Sequence, residues 1–179
     1  MKFKIFKFKK VNSTNNTAIR IIKNTNHKFG MIVSETQSNG RGQYGKKWIS
    51  YKGNLFVSFF FNLENLNIEL KEITKINCLL IKKLLSIYYK KEIIFKKPND
   101  LLIDKKKICG ILQETLVKLD KKYLIVGIGI NLIKNPYIKN YPTTNLHDLT
   151  KKKLSKSKIE NELKKIFELK INKHYKSIS

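Results

Sequence analysis

The apolar residues of this chain come in short, dense runs, among them LFVSFFF (55–61), CLLIKKLLSIYY (78–89) and YLIVGIGINL (123–132). No other feature limits the possible folds as much. Runs of this density require a packed core and exclude a disordered basic tail. None approaches the roughly 18 apolar residues of a membrane span. The start, MKFKIFKFKKV, intersperses Lys with apolar residues, so it reads as a strand and not as a signal peptide. A length of 179 residues suits one well-packed domain.

Residues 2–11 read as a first strand, and Ser13 and Thr14 as the N-cap of a helix over 12–24. GMIVSET (30–36) reads as a buried strand followed by a glycine-rich loop. KWIS (47–50) and residues 54–63 read as strands, with Gly53–Asn54 in the turn between them. From about 68 to 91, Ile73, Ile76, Leu79, Leu80, Leu84 and Ile87 recur at helical spacing. EIIF (92–95) is a short strand stopped by Pro98, and 101–132 supplies three antiparallel strands turning at 104–106 and 119–121. TTNLHDLT and a Lys-rich amphipathic helix at about 156–170 close the chain. The expectation is a single α+β domain, 1–179, built on one mixed, mostly antiparallel sheet with packed helices. Residues 143–179 form its helical C-terminal tail.

The chain has 36 Lys, two Arg (Arg20 and Arg41) and a net charge of +25. Such a charge suggests nucleic acid, but the Lys are spread from end to end, and Arg is the residue suited to bidentate contacts. Lys, Asn and Ile together read as a whole-proteome compositional bias, with salt-sensitive, unspecific binding as a side effect of the charge, and no specific DNA partner is expected. Cys78 and Cys109 form no CxxC, and His27, His147 and His174 are scattered, which disfavours a disulfide framework and a protein-built metal centre. A soluble, cytoplasmic protein with no membrane partner is expected.

Four segments interrupt apolar strands with small or polar residues: NSTNN (12–16), QSNGRGQYGKKW (37–48), KKPND (96–100) with GILQE (110–114), and GIGIN (127–131). Gly40, Gly42 and Gly45 around Arg41 allow positive φ and close approach of backbone N–H groups to an anion. A guanidinium in such a loop holds a phosphate by two parallel bonds, which a Lys cannot do. Lys96 ends an apolar segment, with Asn99 and Asp100 beside it. The glycines of GIGIN mark where a ligand or another backbone comes close. Taken singly, each segment reads first as an ordinary turn, helix cap or bulged strand.

In this order the segments resemble the catalytic domain of biotin protein ligases. The family's Ser-Thr-Asn, Gln before Gly-Arg-Gly, Lys-x-Pro-Asn-Asp, Gly-Ile-Leu and Gly-x-Gly-Ile-Asn match five sets of residues here. These are Ser13–Thr14–Asn15, Gln37 with Gly40–Arg41–Gly42, Lys96–Pro98–Asn99–Asp100, Gly110–Ile111–Leu112, and Gly127–Gly129–Ile130–Asn131. The resemblance covers roughly residues 3 to 170. It implies a class II aminoacyl-tRNA synthetase/biotin ligase-like fold and a two-step ligase using Mg–ATP, with Mg²⁺ carried on the nucleotide phosphates. Biotin is first activated to biotinyl-5′-AMP, and a lysine of a biotin carboxyl carrier protein of acetyl-CoA carboxylase then takes the biotinyl group. By the resemblance, Ser13, Thr14, Asn15, Gln37, Gly40, Arg41, Gly42, Gln43, Lys96 and Gly110 bind biotin. Arg41, Trp48, Lys96, Asn99 and Asn131 bind the nucleotide. Lys96 and Arg41 are the catalytic cations, and Asp100 orients or deprotonates the incoming amine.

The chain departs from the family pattern at Gln43 and Tyr44, where an Arg or two usually follow Gly-Arg-Gly, and at Lys97, where Trp is usual. An aromatic wall is therefore expected to be missing. The N-terminal helix-turn-helix and the C-terminal SH3-like domain of some members are expected to be absent. A monomer or a homodimer is expected. The rival readings are a lipoate–protein ligase or octanoyltransferase on the same fold, and a basic nucleic-acid-binding module without catalysis.

Overall fold

The computed structural model describes residues 2–64, 66 and 69–174. Its elements, in chain order, are β1 (Lys4–Val11), α1 (Thr14–Asn24), β2 (Phe29–Gln37), β3 (Gly40–Arg41), β4 (Lys47–Trp48), β5 (Leu55–Asn62), α2 (Leu70–Tyr88), β6 (Ile94–Lys96), β7 (Asp100–Ile103), β8 (Lys106–Lys118), β9 (Lys121–Ile130), α3 (Leu146–Thr150) and α4 (Lys156–Asn172). Among the described residues, seven strands form one sheet in the order β1-β2-β5-β9-β8-β7-β6, and β3 pairs with β4 in a small separate hairpin. The β1–β2 pair is parallel, and every other pair in the sheet is antiparallel. The mixed, mostly antiparallel α+β fold expected from the sequence is the one formed.

Two-residue turns join β7 to β8 and β8 to β9. Their central residues, Asp104 and Lys105 (φ 48° and 62°) and Leu119 and Asp120 (φ 46° and 59°), are left-handed. That backbone matches the right-handed twist of a hairpin, and here it is adopted without glycine.

Alternation along the strands divides the core. Leu124, Val126, Ile128 and Ile130 of β9 join Leu55, Val57, Phe59 and Phe61 of β5 on the face covered by α2 and α4. Phe167 of α4 stacks on Phe59 with centroids 4.2 Å apart and planes 6° from parallel. On the opposite face, Ala18 and Ile22 of α1 cover Ile32, Phe60 and Ile125. α1 is short, so part of that face stays open, and the site forms there.

The stripe expected on the long helix needs correction. Ile73, Cys78, Leu80, Ile81, Leu84 and Leu85 are buried, but Leu79 and Ile87 are 51% and 45% exposed. Helical spacing alone admits a stripe too wide for one sheet contact, and Leu79 and Ile87 fall on its flank. Residue 68, where that helix was expected to start, and 175–179 of the expected C-terminal tail lie outside the described residues. No helix among the described residues is long and apolar enough to cross a membrane.

Candidate active site

The site begins where the sheet is bare. β8 and β9 place Gly110 opposite Gly129 and Leu112 opposite Gly127, on the face that α2 and α4 do not cover. A Cβ at Gly127 would overlap the Asn15 side chain, and a Cβ at Gly110 or Gly129 would overlap the Trp48 indole. The glycines of GIGIN therefore make room for two side chains of this chain, Asn15 from the first turn of α1 and Trp48 from β4. Asn15 is fully engaged: its Oδ1 accepts from the Ser58 hydroxyl at 2.6 Å. Its Nδ2 donates to Glu114 Oε2 at 2.7 Å and to the Leu112 carbonyl at 3.3 Å. Trp48 Nε1 is buried without a hydrogen-bond partner among the described residues. Around this shelf opens a cavity of about 980 Å³, the size of a small-molecule site.

Arg41, Lys46, Lys47, Lys96, Lys97, Lys107 and Lys139 line the cavity, and three of them contact other side chains around it. Arg41 lines it, but its fork is turned to protein: Nη2 donates to Glu114 Oε1 at 2.6 Å, and Nη1 to Glu114 Oε2 at 3.2 Å and Asn16 Oδ1 at 2.7 Å. The bidentate grip inferred from the sequence is present, with a carboxylate in the place expected for phosphate. Lys96 is exposed, and its ammonium lies 4.4 Å from the centre of the Tyr141 ring. The third cation, Lys107, was not foreseen. It pairs with Asp100 Oδ1 at 2.9 Å and lies 5.5 Å from the ring centres of both Trp48 and Tyr141.

Lys107 escapes a sequence reading because a bulge decides where it points. β7 pairs Leu101 with Cys109 but Leu102 with Lys107, so Ile108 is an extra residue. Ile108 and Cys109 are both fully buried in the core, which shifts the alternation by one. Lys107 then shares the cavity side with Gly110. Simple alternation would have sent it into the core. The usable signal was a Lys three positions before a site glycine, with two consecutive apolar residues between them.

The residues expected to bind biotin and the nucleotide, and the expected catalytic Asp100, are distributed as follows. Ser13, Thr14, Asn15, Gln37, Gly42, Gln43, Trp48, Lys96, Asn99, Asp100, Gly110 and Asn131 all line the cavity. Gly40 stands behind the wall, where a Cβ would overlap the Trp48 carbonyl oxygen. Ser13 is the N-cap residue of α1, yet its side chain makes no capping bond. Gln37 does that work instead, its Oε1 accepting from Thr14 N at 2.8 Å and Thr14 Oγ1 at 3.2 Å, while its Nε2 donates to Ser50 at 3.1 Å. Asn99 Nδ2 donates to the Ile111 carbonyl at 2.8 Å, tying the loop to β8. Asn131 Nδ2 donates to the Thr144 carbonyl at 3.1 Å, and its buried Oδ1 has no partner among the described residues. Of the loop's three glycines only Gly45 has positive φ (73°), next to Tyr44, which is left-handed at 54°. Gly40 and Gly42 serve close approach, with a Cβ at Gly42 only 3.2 Å from the Lys46 carbonyl oxygen.

The aromatic wall expected to be missing at Lys97 is supplied from elsewhere. Tyr137 and Tyr141, on the segment between β9 and α3, line the cavity. The Tyr141 hydroxyl donates to Asp100 Oδ2 at 2.6 Å, and burial, with Asp100 adjacent, raises its pKa well above the ordinary tyrosine value. Beneath, burial raises the Cys109 thiol. Among the described residues, no group of three or more His, Cys, Asp or Glu side chains is placed to hold a metal ion. The arrangement suits a ligand with a flat ring and a concentrated negative charge.

Comparison with known proteins identifies the family and the fold. The model of the biotin/lipoate A/B protein ligase family matches residues 7–131. The bifunctional ligase/repressor BirA of Escherichia coli (strain K12) is 31% identical over 102 residues, covering 56% of this chain and 32% of BirA. The chain thus spans about a third of the length of that relative. A biotin protein ligase from Aquifex aeolicus, in complex with biotin and ATP, has a TM-score of 0.80 at 28% identity, covering 97% of this chain and 72% of that one. A biotin protein ligase from Leishmania major, in complex with biotinyl-5-AMP, has a TM-score of 0.83. At 23% identity, with 98% and 77% of the two chains covered, that likeness shows the shared fold.

Proposed function

The chain belongs to the biotin/lipoate A/B protein ligase family, and from that premise we propose that it is an ATP-dependent biotin–protein ligase. In the first step a biotin carboxylate oxygen attacks the α-phosphorus of ATP. The bond to the β-phosphate breaks, leaving biotinyl-5′-AMP and pyrophosphate. In the second, the amine of an acceptor lysine attacks the acyl carbon, loses a proton and expels AMP. The acceptor we propose is a biotin carboxyl carrier protein, that of acetyl-CoA carboxylase. Mg²⁺ enters as the Mg–ATP substrate, carried by the phosphates.

One observation carries the reading: segments scattered from Ser13 to Asn131 converge on a single cavity. The first step brings two anions together, which requires fixed cations. Lys107, recessed beside Asp100, is suited to the carboxylate and the reacting phosphate, and Lys96, at the rim, to the outer phosphates. Arg41 joins them once an anion competes with Glu114 for its fork. The Asn131 acceptor and the Trp48 ring suit an adenine, with its exocyclic amine and flat face. The recess shields a mixed anhydride from water.

The test is ATP–pyrophosphate exchange with Mg²⁺, run with biotin, lipoate, octanoate and no acid. Exchange with biotin alone is expected. Exchange with lipoate or octanoate would move the protein to the other activity of its family, and none with any acid would overturn the reading. Replacing Lys107 by Ala should lower exchange at saturating substrates by about 10²-fold, as loss of a charge-stabilising group does. Lys96→Ala should act more weakly and mainly on the KM for ATP, since its ammonium lies outside the Asp100 pair.

A further inference from the structure

Tyr141 lies on the segment between β9 and α3, outside every motif that the sequence supplied, yet its ring meets both Lys96 and Lys107. Its hydroxyl donates to Asp100 Oδ2 at 2.6 Å, while Asp100 Oδ1 pairs with Lys107 at 2.9 Å. Its ring carries the Lys96 ammonium at 4.4 Å and the Lys107 ammonium at 5.5 Å, within the range of cation–π attraction. We propose that Tyr141 is a positioning residue for anion binding, which governs Lys107 through Asp100 and Lys96 through the face of its ring.

The segment is built to hold that position. At its start, Asn54 Oδ1 accepts from the backbone N–H groups of Leu132, Ile133 and Lys134 at 3.0–3.2 Å. At its end, the Pro142 carbonyl accepts from Lys107 N at 2.8 Å, and Thr144 N donates to the Lys107 carbonyl at 2.9 Å. Tyr141 is thus strapped to the backbone of the residue it serves.

The direction of the effect follows from what Asp100 does. Asp100 is only 8% exposed, so its buried charge needs a partner, and Oδ1 finds it in the Lys107 ion pair, without a hydrogen bond among the described residues. With the Tyr141 hydroxyl on Oδ2, only Oδ1 holds Lys107, and the ammonium keeps donors for a ligand. Without the hydroxyl, both oxygens turn to Lys107, and the ammonium is drawn from an incoming anion into a tighter internal pair.

This inference rests on the reading of Lys107 as the recessed cation but not on biotin being the acid. Its test therefore uses inorganic pyrophosphate, titrated against the fluorescence of Trp48, the single tryptophan, whose ring centre is 5.5 Å from the Lys107 ammonium. Tyr141→Phe keeps the ring and removes the hydroxyl, and should weaken pyrophosphate by about tenfold, the size of one hydrogen bond to a charged group. In a Lys107→Ala background the same change should have no effect, because the route from Tyr141 to the ligand is gone. Tyr141→Leu should lose more, and part of its loss should persist in Lys107→Ala, where only the Lys96 contact remains. Losses from Tyr141→Phe and Lys107→Ala that multiply independently, or a Tyr141→Phe protein that binds like wild type, would overturn the proposal. So would a wild-type protein that does not bind pyrophosphate. Failure of biotin-dependent exchange beside an intact pyrophosphate cycle would remove the biotin reading and leave this one standing.

Discussion

Arg41 is held by three hydrogen bonds, two of them to one carboxylate. Its geometry explains why a chain with 36 Lys keeps an Arg here: a planar fork satisfies both oxygens of Glu114, and a point charge does not. The same fork must exchange partners when an anionic ligand arrives, and the exchange is easy because the pair stays in contact with solvent (37% and 23% exposed side chains). Arg41→Ala is expected to lower ATP–pyrophosphate exchange by about 10²-fold. Arg41→Lys should recover little of that loss, which separates the fork from the charge. Gly129 tests the shelf in the same way. A Cβ there overlaps the Trp48 ring, so Gly129→Ala should expel the indole. Trp48 fluorescence should shift towards that of an exposed tryptophan, and the protein should lose roughly 1–3 kcal/mol in urea unfolding, the usual cost of overpacking.

At the scale of elements, α4 holds the sheet from the side opposite the cavity. Ile159, Leu163, Phe167 and Ile171 recur every four residues and are buried. Ser155 caps the first turn by accepting from Lys158 N. Phe167→Ala is expected to cost about 3–5 kcal/mol in urea unfolding, because the cavity it leaves faces the rigid β5 strand. Leu79→Ala, on the exposed flank of α2, should stay within about 0.5 kcal/mol. The two helices were equally legible as amphipathic. Their difference lies in which part of each stripe the sheet covers, and that depends on how the helix is rotated on it.

Over the whole molecule, buried neutral acids set the alkaline limit. Burial, aided by Asp100, raises the Cys78 thiol from 9.0 to about 11, and burial also raises Tyr88 and Tyr141. Each group keeps its proton longer in the folded chain than in the unfolded one. The Cys78 contribution is therefore complete below pH 9.0 and is lost as the pH rises to about 11. The tyrosine contributions begin to fail near pH 10, the ordinary tyrosine value. The urea midpoint should hold between pH 7 and 9 and fall progressively above. A midpoint flat to pH 11 would show that these groups ionise as freely in the fold as outside it.

Local chemistry was enough to read most of the elements and the family pattern. Strand alternation, the helix stripes and the two hairpin turns depend on neighbours within a few residues, and the order of Ser13–Thr14–Asn15, Gly40–Arg41–Gly42, Asn99–Asp100, Gly110 and Gly127–Gly129 carries the resemblance on its own. What the residues hold was decided only by folding. Gln37 caps a helix 23 residues away in sequence, Arg41 grips Glu114, and Trp48 and Asn15 occupy the glycine shelf, because pairing across a sheet joins positions that no sequence window contains. Lys107 is the sharpest case. A single extra residue in β8 reverses which face its side chain meets, and that bulge depends on β7, another strand, being there to pair.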